Sequence, residues 1–144
     1  MLIGEYIHTM DSKHRLSLPS KFRKELGKVV VVTRGLDHCL FIYSRNEWKK
    51  FTTSLGELSM GQSDSRALNR FLLGGAVEVE VDHSGRILVP DFLTSFAGLD
   101  EKVIVTGVNN RVELWDEKAW RTYTSTVEKQ ADALAERLGD IGMV

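Results

Sequence analysis

One nine-residue pattern occurs twice in this chain, and it constrains the fold more than any other feature. The copies are Asp11-Ser-Lys-His-Arg15-Leu-Ser-Leu-Pro19 and, 71 residues later, Asp82-His-Ser-Gly-Arg86-Ile-Leu-Val-Pro90. In each copy an Asp opens a polar turn, an Arg closes it, three residues of strand character follow, and a Pro begins a helical pattern. The chain therefore contains two copies of one module.

The repeat extends well beyond these loops. After each Pro comes a short amphipathic stretch ending near a Gly, then an apolar run ending in Thr, a second strand, and a helix whose first apolar anchor is Trp48 or Trp120. Two such copies favour a pseudo-symmetric pair around a shared core, because each can close the open sheet edge of the other. We expect an α+β, strand-rich fold of two βαββ-type modules with flanking helices. Its predicted divisions are residues 1–58, a linker and helix at 59–75, and residues 76–144.

Two further segments have a clear periodicity. Val77 to Val81 alternates valine with glutamate, which predicts a strand whose valines face a core and whose glutamates face water or another subunit. The last helix, predicted to continue through Glu128 to Val144, carries an apolar stripe made of Trp120, Val127, Ala131, Leu134 and Leu138. Its spacing resembles a coiled-coil seam between subunits, although covering the protein's own core is the commoner use.

Composition limits the class of protein. Hydrophobic residues make up 42% of the 144 residues, and no apolar run approaches the roughly 20 residues that a membrane span requires. We expect a soluble protein without a membrane partner or a visible export signal. The single cysteine, Cys39, has no intrachain partner, which suits a reducing compartment, excludes a thiolate metal cage and fits a small buried residue. These features predict a cytoplasmic location.

Charge is unevenly distributed along the chain. The formal net charge is only -1, but residues 1–50 contain ten Lys or Arg residues against five Asp or Glu residues, a net of +5. The remaining residues must therefore sum to -6. This distribution is compatible with a basic pole that binds nucleic acid, despite the nearly neutral total.

The Asp-x-x-x-Arg turns allow two interpretations. An Asp at the start of a turn accepts hydrogen bonds from backbone N–H groups two residues on, and Gly85 supplies a positive φ that other residues resist. The Arg can pair with that carboxylate and stabilise the turn, or it can contact a phosphate or a base through its planar fork. Duplication favours the second interpretation, because two identical tips suit a repetitive ligand such as duplex DNA.

Other classes of function find less support in the residues. Asp82, His83 and Ser84 are consecutive on one tight turn and cannot form a catalytic relay, which is assembled in space. The four histidines lack the paired spacing of a metal site. We therefore expect no enzymatic activity and no cofactor. A protein-binding scaffold and an antitoxin remain as alternatives, although antitoxins of such folds commonly carry one copy and a disordered tail.

At this point the motifs match a known family. The chain resembles the MraZ family over almost its whole length. The marks of the resemblance are Gly4-Glu5-Tyr6, both nine-residue patterns, Phe22-Arg23, Leu72-Leu73-Gly74-Gly75-Ala76, Ala97-Gly98-Leu99 and Glu113-Leu114-Trp115. This resemblance implies a fused pair of AbrB-type (SpoVT-AbrB) swapped-hairpin modules that form one β-barrel within a single chain.

The resemblance also implies a function. It implies a transcriptional regulator on the nucleoid, forming homo-oligomeric rings of about eight or more subunits, that binds tandem promoter repeats of double-stranded DNA upstream of its own division and cell-wall operon. Repression is the simplest outcome, and no cofactor is implied. The implied DNA contacts are Arg15 and Arg86, with Lys13, His14, His83, Ser84, Lys21 and Arg23 as neighbouring candidates.

The same resemblance assigns the shape of the tips to Asp11, Asp82 and Gly85. His14 departs from the family pattern, because it stands where the second copy has Gly85. The first tip is therefore expected either to adopt a different turn or to use the imidazole against a phosphate or a base edge. For Lys21 and Arg23, contact with phosphates and simple solvation are equally compatible with the sequence.

Overall fold

A computed structural model describes residues 1–140 and 142 of the chain, and this part contains eight strands and five helices. In chain order they are β1 (Leu2–Thr9), β2 (Arg15–Ser17), α1 (Ser20–Leu26), β3 (Val29–Arg34), β4 (Leu40–Ser44), α2 (Arg45–Gly56), α3 (Ser63–Gly74), β5 (Val77–Glu80), β6 (Arg86–Leu88), α4 (Asp91–Ala97), β7 (Lys102–Asn109), β8 (Val112–Asp116) and α5 (Glu117–Gly139). The predicted C-terminal helix is present through Gly139. Residues 141, 143 and 144 of that prediction lie outside the described residues.

The order of elements repeats within the chain. Two strands, a short helix, two strands and a longer helix occur first as β1 to α2 and again as β5 to α5, with α3 between them. The strand-rich α+β class with two repeated modules is therefore confirmed. Among the helices of the described part, none is long and apolar enough to cross a bilayer.

The two repeats share one sheet. Six antiparallel strands lie in the order β1-β7-β8-β4-β3-β5, and β2 pairs separately with β6. The first strand of each repeat pairs with the third strand of the other, since β1 pairs with β7 and β5 pairs with β3. Neither repeat therefore completes a sheet alone, and each protects an edge strand of the other.

A pseudo-twofold axis relates the repeats. In the β2–β6 pair Leu16 lies opposite Ile87, which occupies the same position 71 residues later. In the central β4–β8 pair Phe41 lies opposite Glu113, again its own equivalent in the second repeat. Because each of these residues faces its own equivalent, the axis passes close to both pairs.

Because of this exchange, the two strands that flank each tip do not pair with each other. The turn from Asp11 to Arg15 forms as predicted, with the N–H of Asp11 donating to the carbonyl of Arg15 at 3.0 Å. Its flanking strands then diverge to pair with the other repeat, as a swapped-hairpin fold requires. The hydrogen-bonded ladder does not close into a complete barrel, because β1 and β5 remain edge strands of the six-stranded sheet.

One core fills the space between the six-stranded sheet and the β2–β6 pair. Leu16, Ile87 and Leu114 are almost completely buried in it, together with residues of α1 and α4. The valines of β5 pack against this core, and its glutamates Glu78 and Glu80 are exposed, as the alternation predicts. Apolar burial on this scale is the main force that holds the two repeats together.

A second apolar cluster lies on the other face of the six-stranded sheet. It contains Cys39, Phe41, Tyr43, Ile104 and Trp115, covered by Trp48 and Phe51 of α2 and by Trp120 of α5. The two Trp anchors therefore have equivalent roles in the two repeats. Cys39 is fully buried and its Sγ donates to the Leu36 carbonyl, so the interpretation as a small buried residue is confirmed. Burial also raises the pKa of the Cys39 thiol far above its ordinary value.

Candidate nucleic-acid interface

The first tip, residues 11–15, is held by the carboxylate of Asp11. Its Oδ1 accepts hydrogen bonds from the backbone N–H groups of Lys13 and Arg15, both at 2.9 Å. Its Oδ2 accepts from Nε of Arg15 at 2.7 Å, and the N–H of His14 donates to the Asp11 carbonyl. One carboxylate thus fixes both the backbone of the turn and the orientation of the arginine.

The second tip, residues 82–86, has the same geometry. Oδ1 of Asp82 accepts from the backbone N–H groups of Ser84 at 2.8 Å and Arg86 at 2.9 Å. Its Oδ2 accepts from Nε of Arg86 at 3.2 Å, and the N–H of Gly85 donates to the Asp82 carbonyl. The predicted turn chemistry is therefore present in both copies.

These donors stabilise the ionised carboxylates. The backbone N–H of Arg15 is the largest cause that lowers the pKa of Asp11 below its ordinary value of 3.8. The backbone N–H of Arg86 has the same effect on the pKa of Asp82. Both carboxylates are therefore negatively charged at neutral pH, and each turn keeps its ion pair there.

Each tip arginine uses only part of its guanidinium to stabilise its turn. The side chains of Arg15 and Arg86 are 38% and 35% exposed, and each pairs with its Asp through Nε. Among the described residues, neither arginine has a hydrogen-bond partner for its two terminal nitrogens. The turn-stabilising ion pair predicted as one alternative is present, and it leaves the outer edge of each guanidinium free to bind a ligand.

The β2–β6 pair brings both arginines to one face. Leu16 and Ile87 point into the core, so the side chains on either side of them point outward. Arg15 lies opposite Leu88, and Arg86 lies opposite Ser17. The arginines are thus diagonal neighbours on one outward surface. Leu88 lies on this surface and is 56% exposed. Sequence reasoning did not select it, although its place next to the core-facing Ile87 indicates an outward side chain.

His14 adopts the same backbone conformation as its equivalent in the second tip. Its φ is 63°, close to the 80° of Gly85, so of the two alternatives for the first tip a different turn is wrong. The local hydrogen bonds of the Asp11 carboxylate hold the residue in this left-handed region despite its side chain. The imidazole Nδ1 lies 2.8 Å from Oδ1 of Asp91 at the start of α4. The histidine therefore joins the first tip to the second repeat.

Arg23 has a defined position beside the second tip. Its Nε donates to the carbonyl of Leu18 at 2.8 Å, and its guanidinium covers Gly85, which is buried. Of the two alternatives for Arg23, simple solvation is therefore wrong. The other predicted neighbours Lys13, His83, Ser84 and Lys21 are exposed, the first three on the tips and Lys21 on α1.

The histidines do not assemble a metal site in the part of the chain that the structure describes, where no cluster of three or more His, Cys, Asp or Glu residues has suitable geometry. His8 uses Nδ1 to contact the Ser17 carbonyl at 2.6 Å, and the ring of His38 stacks on Phe96. His8, His14 and His38 thus each have a local contact of their own, and His83 is exposed on the second tip.

The fold and the tips define a class of small two-repeat proteins in which exchanged strands present a pair of arginine turns on one surface. The family model of the "MraZ protein", whose description adds "antitoxin-like", matches this chain twice, over residues 1–71 and 72–141. The chain belongs to the MraZ family.

Similar proteins carry the name "Transcriptional regulator MraZ". The one from Caldanaerobacter subterraneus subsp. tengcongensis is 46% identical over 143 residues, which cover 99% of this chain and all of that protein. Those from a Thermoanaerobacter species and from Alkaliphilus metalliredigens are 45% and 46% identical over the same shares of each chain.

Proposed function

We propose that this protein is a transcriptional regulator that binds tandem repeats of promoter DNA through its two Asp-x-x-x-Arg tips. The observation that carries this proposal is the presence of Arg15 and Arg86, in turns of identical hydrogen bonding, on one outward face of the β2–β6 pair. The name of the similar proteins, transcriptional regulator, supports the same function.

The tips suit DNA because their arginines are oriented before binding. A guanidinium whose Nε is held by a carboxylate loses little conformational freedom when its terminal nitrogens bind a phosphate or a base edge. Lys13, His14, His83 and Ser84 lie within the same two turns and supply further donors. Asp11, Asp82 and Gly85 shape the turns and are not themselves expected to touch DNA.

A single chain offers too few such contacts for tight binding. Its net charge of -1 provides no long-range attraction to DNA, and each phosphate contact adds only a salt-sensitive increment. A ring of copies would align many tips with a repeated operator and raise the effective concentration of each. We therefore propose a homo-oligomeric ring whose affinity rises steeply with the number of DNA repeats.

Helix α5 is the element we assign to contacts between copies. It has 23 residues, none of them buried, and its apolar stripe continues to Leu138, which is 44% exposed. Near its start, Trp120 and Tyr123 pack against Trp115 of the second apolar cluster. The remainder of the stripe is therefore available to another subunit.

Binding over a promoter would hinder RNA polymerase, so repression of the protein's own division and cell-wall operon is the proposed outcome. The proposal includes a cytoplasmic location on the nucleoid, no cofactor and no catalytic activity. It also retains the division of the chain into residues 1–58, 59–75 and 76–144.

Transcription in vitro tests this proposal. The template carries the DNA upstream of the protein's own gene, and wild-type protein is compared with Arg15→Ala/Arg86→Ala and with a control of equal charge change, Arg66→Ala/Arg70→Ala on α3. We expect fewer transcripts with wild type and control, and full transcription with the tip variant. More transcripts with wild type would replace repression by activation. Equal effects of all three proteins would favour a protein-binding scaffold, for which the exposed Glu78 and Glu80 of β5 offer a surface.

A further inference from the structure

The two tips have the same backbone but different surroundings. Counting from the preceding Pro, Arg23 on α1 and Thr94 on α4 hold the same position in the two repeats. Tip two lies against α1, where Arg23 covers Gly85, and tip one lies against α4, where His14 contacts Asp91. The large side chain beside tip two is therefore Arg23 of helix α1, and the large side chain at tip one is His14 of the turn itself.

The residue on the helix (Arg23 or Thr94) and the residue in the turn (Gly85 or His14) depend on each other. A Cβ atom on residue 85 would collide with the guanidinium of Arg23, so Arg23 can keep this position only beside glycine and would have to move aside for any larger residue. At tip one, Thr94 is buried and its hydroxyl donates to the Pro90 carbonyl, which leaves room for the His14 side chain. The same place is thus packed by Arg23 with Gly85 at tip two and by Thr94 with His14 at tip one.

The difference also changes the charge beside each tip. A cleft of about 240 Å³ next to tip two is lined by Arg23, Lys28, Asp82 and His83, a net of +1 with neutral histidine. The equivalent cleft next to tip one, of about 430 Å³, is lined by Asp11, Asp100, Glu101 and His14, a net of -3 on the same basis. Besides Arg23, helix α1 carries Lys21, Lys24 and Glu25, whereas Asp91 is the one charged residue of α4.

We propose that the cleft between tip two and α1 is a phosphate-binding site, with Arg23 and Lys28 as its ligands, and that tip one has no equivalent site. This inference rests on the proposed binding of DNA and adds to it an unequal role for the two repeats. Arg23 is anchored through Nε, and in the described part of the chain its terminal nitrogens and the Lys28 ammonium have no protein partner. Each chain therefore holds the DNA backbone mainly through its second tip.

The inequality has a consequence for assembly on DNA. A phosphate contact at tip two without one at tip one makes the two halves of the chain unequal despite their pseudo-twofold symmetry. Each chain then has a direction along the duplex. The site would strengthen binding to all sequences alike, since it reads the backbone and not the base edges.

Binding to duplex DNA from upstream of the gene, measured over a salt series, tests the site. The variants are Arg23→Thr, Lys28→Ala and Arg23→Thr/Gly85→His, the last of which copies the combination that the chain already tolerates at tip one. Lys118→Ala on α5 is the control of equal charge. We expect each variant to weaken binding to specific and unrelated duplexes alike, and to reduce the slope of log K against log salt by about 1 per bound chain.

The outcomes separate this inference from the proposed function. If the three variants match Lys118→Ala while Arg15→Ala/Arg86→Ala loses binding, the phosphate site is refuted and the DNA-binding tips stand. If wild type does not bind duplex DNA, both fail. Light scattering and circular dichroism of each variant verify that assembly and fold are unchanged.

Discussion

Leu16 lies opposite Ile87 in the β2–β6 pair, so each repeat contributes the same position to one buried contact on the pseudo-twofold axis. This pair sets the geometry of the candidate interface. Because the two side chains point inward, the adjacent Arg15 and Arg86 point outward on the same surface. A packing contact between the repeats thus places the two charged tips.

Loss of this contact should reduce stability substantially. Leu16→Ala removes a fully buried side chain and is expected to lower the free energy of unfolding by about 2–5 kcal/mol, because the surrounding core can only partly fill the cavity. Leu88→Ala, at an exposed position of the same strand pair, is the control and should change stability by less than about 0.5 kcal/mol. Guanidinium chloride unfolding measures both, and equal small effects would show that the pair is not part of the core.

Acid should weaken the tips in a defined direction. Asp11 and Asp82 have a folded-state pKa below the ordinary 3.8, so their contribution to stability is complete above that pH and is lost as the pH falls through the lower folded value. Asp11→Asn/Asp82→Asn should therefore be less stable than wild type at pH 7, with a difference that disappears on acidification. Denaturant unfolding at a series of pH values measures this. A difference that stays constant with pH would contradict the role of these carboxylates.

The buried carboxylate of Glu113 should also contribute to the stability of the fold. Its Oε1 accepts from Nε1 of Trp115 and its Oε2 accepts from Nε of Arg111, both at 3.0 Å. Glu113→Ala leaves these donors without a partner and is expected to cost about 1–3 kcal/mol of stability. Glu113→Gln, which keeps an acceptor, should cost less, and thermal unfolding of the two variants provides the comparison. The reverse order would exclude hydrogen bonding as the cause.

The apolar stripe of α5 should control assembly without controlling the fold. Val127→Glu/Leu134→Glu places two charges on the stripe, and we expect smaller particles by light scattering with unchanged helix content. Ala133→Glu lies on another side of the same helix and serves as the control. If the double variant keeps the wild-type mass, α5 does not join the subunits.

Local chemistry made the tips predictable from sequence. The Asp that opens each turn and the Arg four residues later form the same hydrogen bonds in both copies, so both tips followed from residues 11–15 and 82–86 alone. The inward valines of β5 followed from their alternation in the same way. The repeat pattern also correctly indicated two modules around a shared core.

Contacts between the repeats could not be predicted from local sequence patterns. The sequence of residues 11–18 is equally compatible with β2 pairing with its own neighbour β1, and only the packing of both repeats brings it beside β6. Likewise, Arg23 and Gly85 are 62 residues apart, and no pattern within either segment indicates that the guanidinium covers the glycine. The left-handed His14 was not anticipated because its side-chain cost is offset by hydrogen bonds of the Asp11 turn.

The central claim is that Arg15 and Arg86 bind DNA. Its most direct test is the affinity of the purified protein for duplex DNA from upstream of its own gene, measured over a salt series for wild type, Arg15→Ala/Arg86→Ala and the control Arg66→Ala/Arg70→Ala, with particle mass verified by light scattering. We predict salt-sensitive binding by wild type and control and a loss of at least about tenfold in the tip variant, since each arginine contact is worth about 1–3 kcal/mol. Equal affinity of the tip variant, with intact particles, would contradict the account and limit both arginines to stabilising their turns.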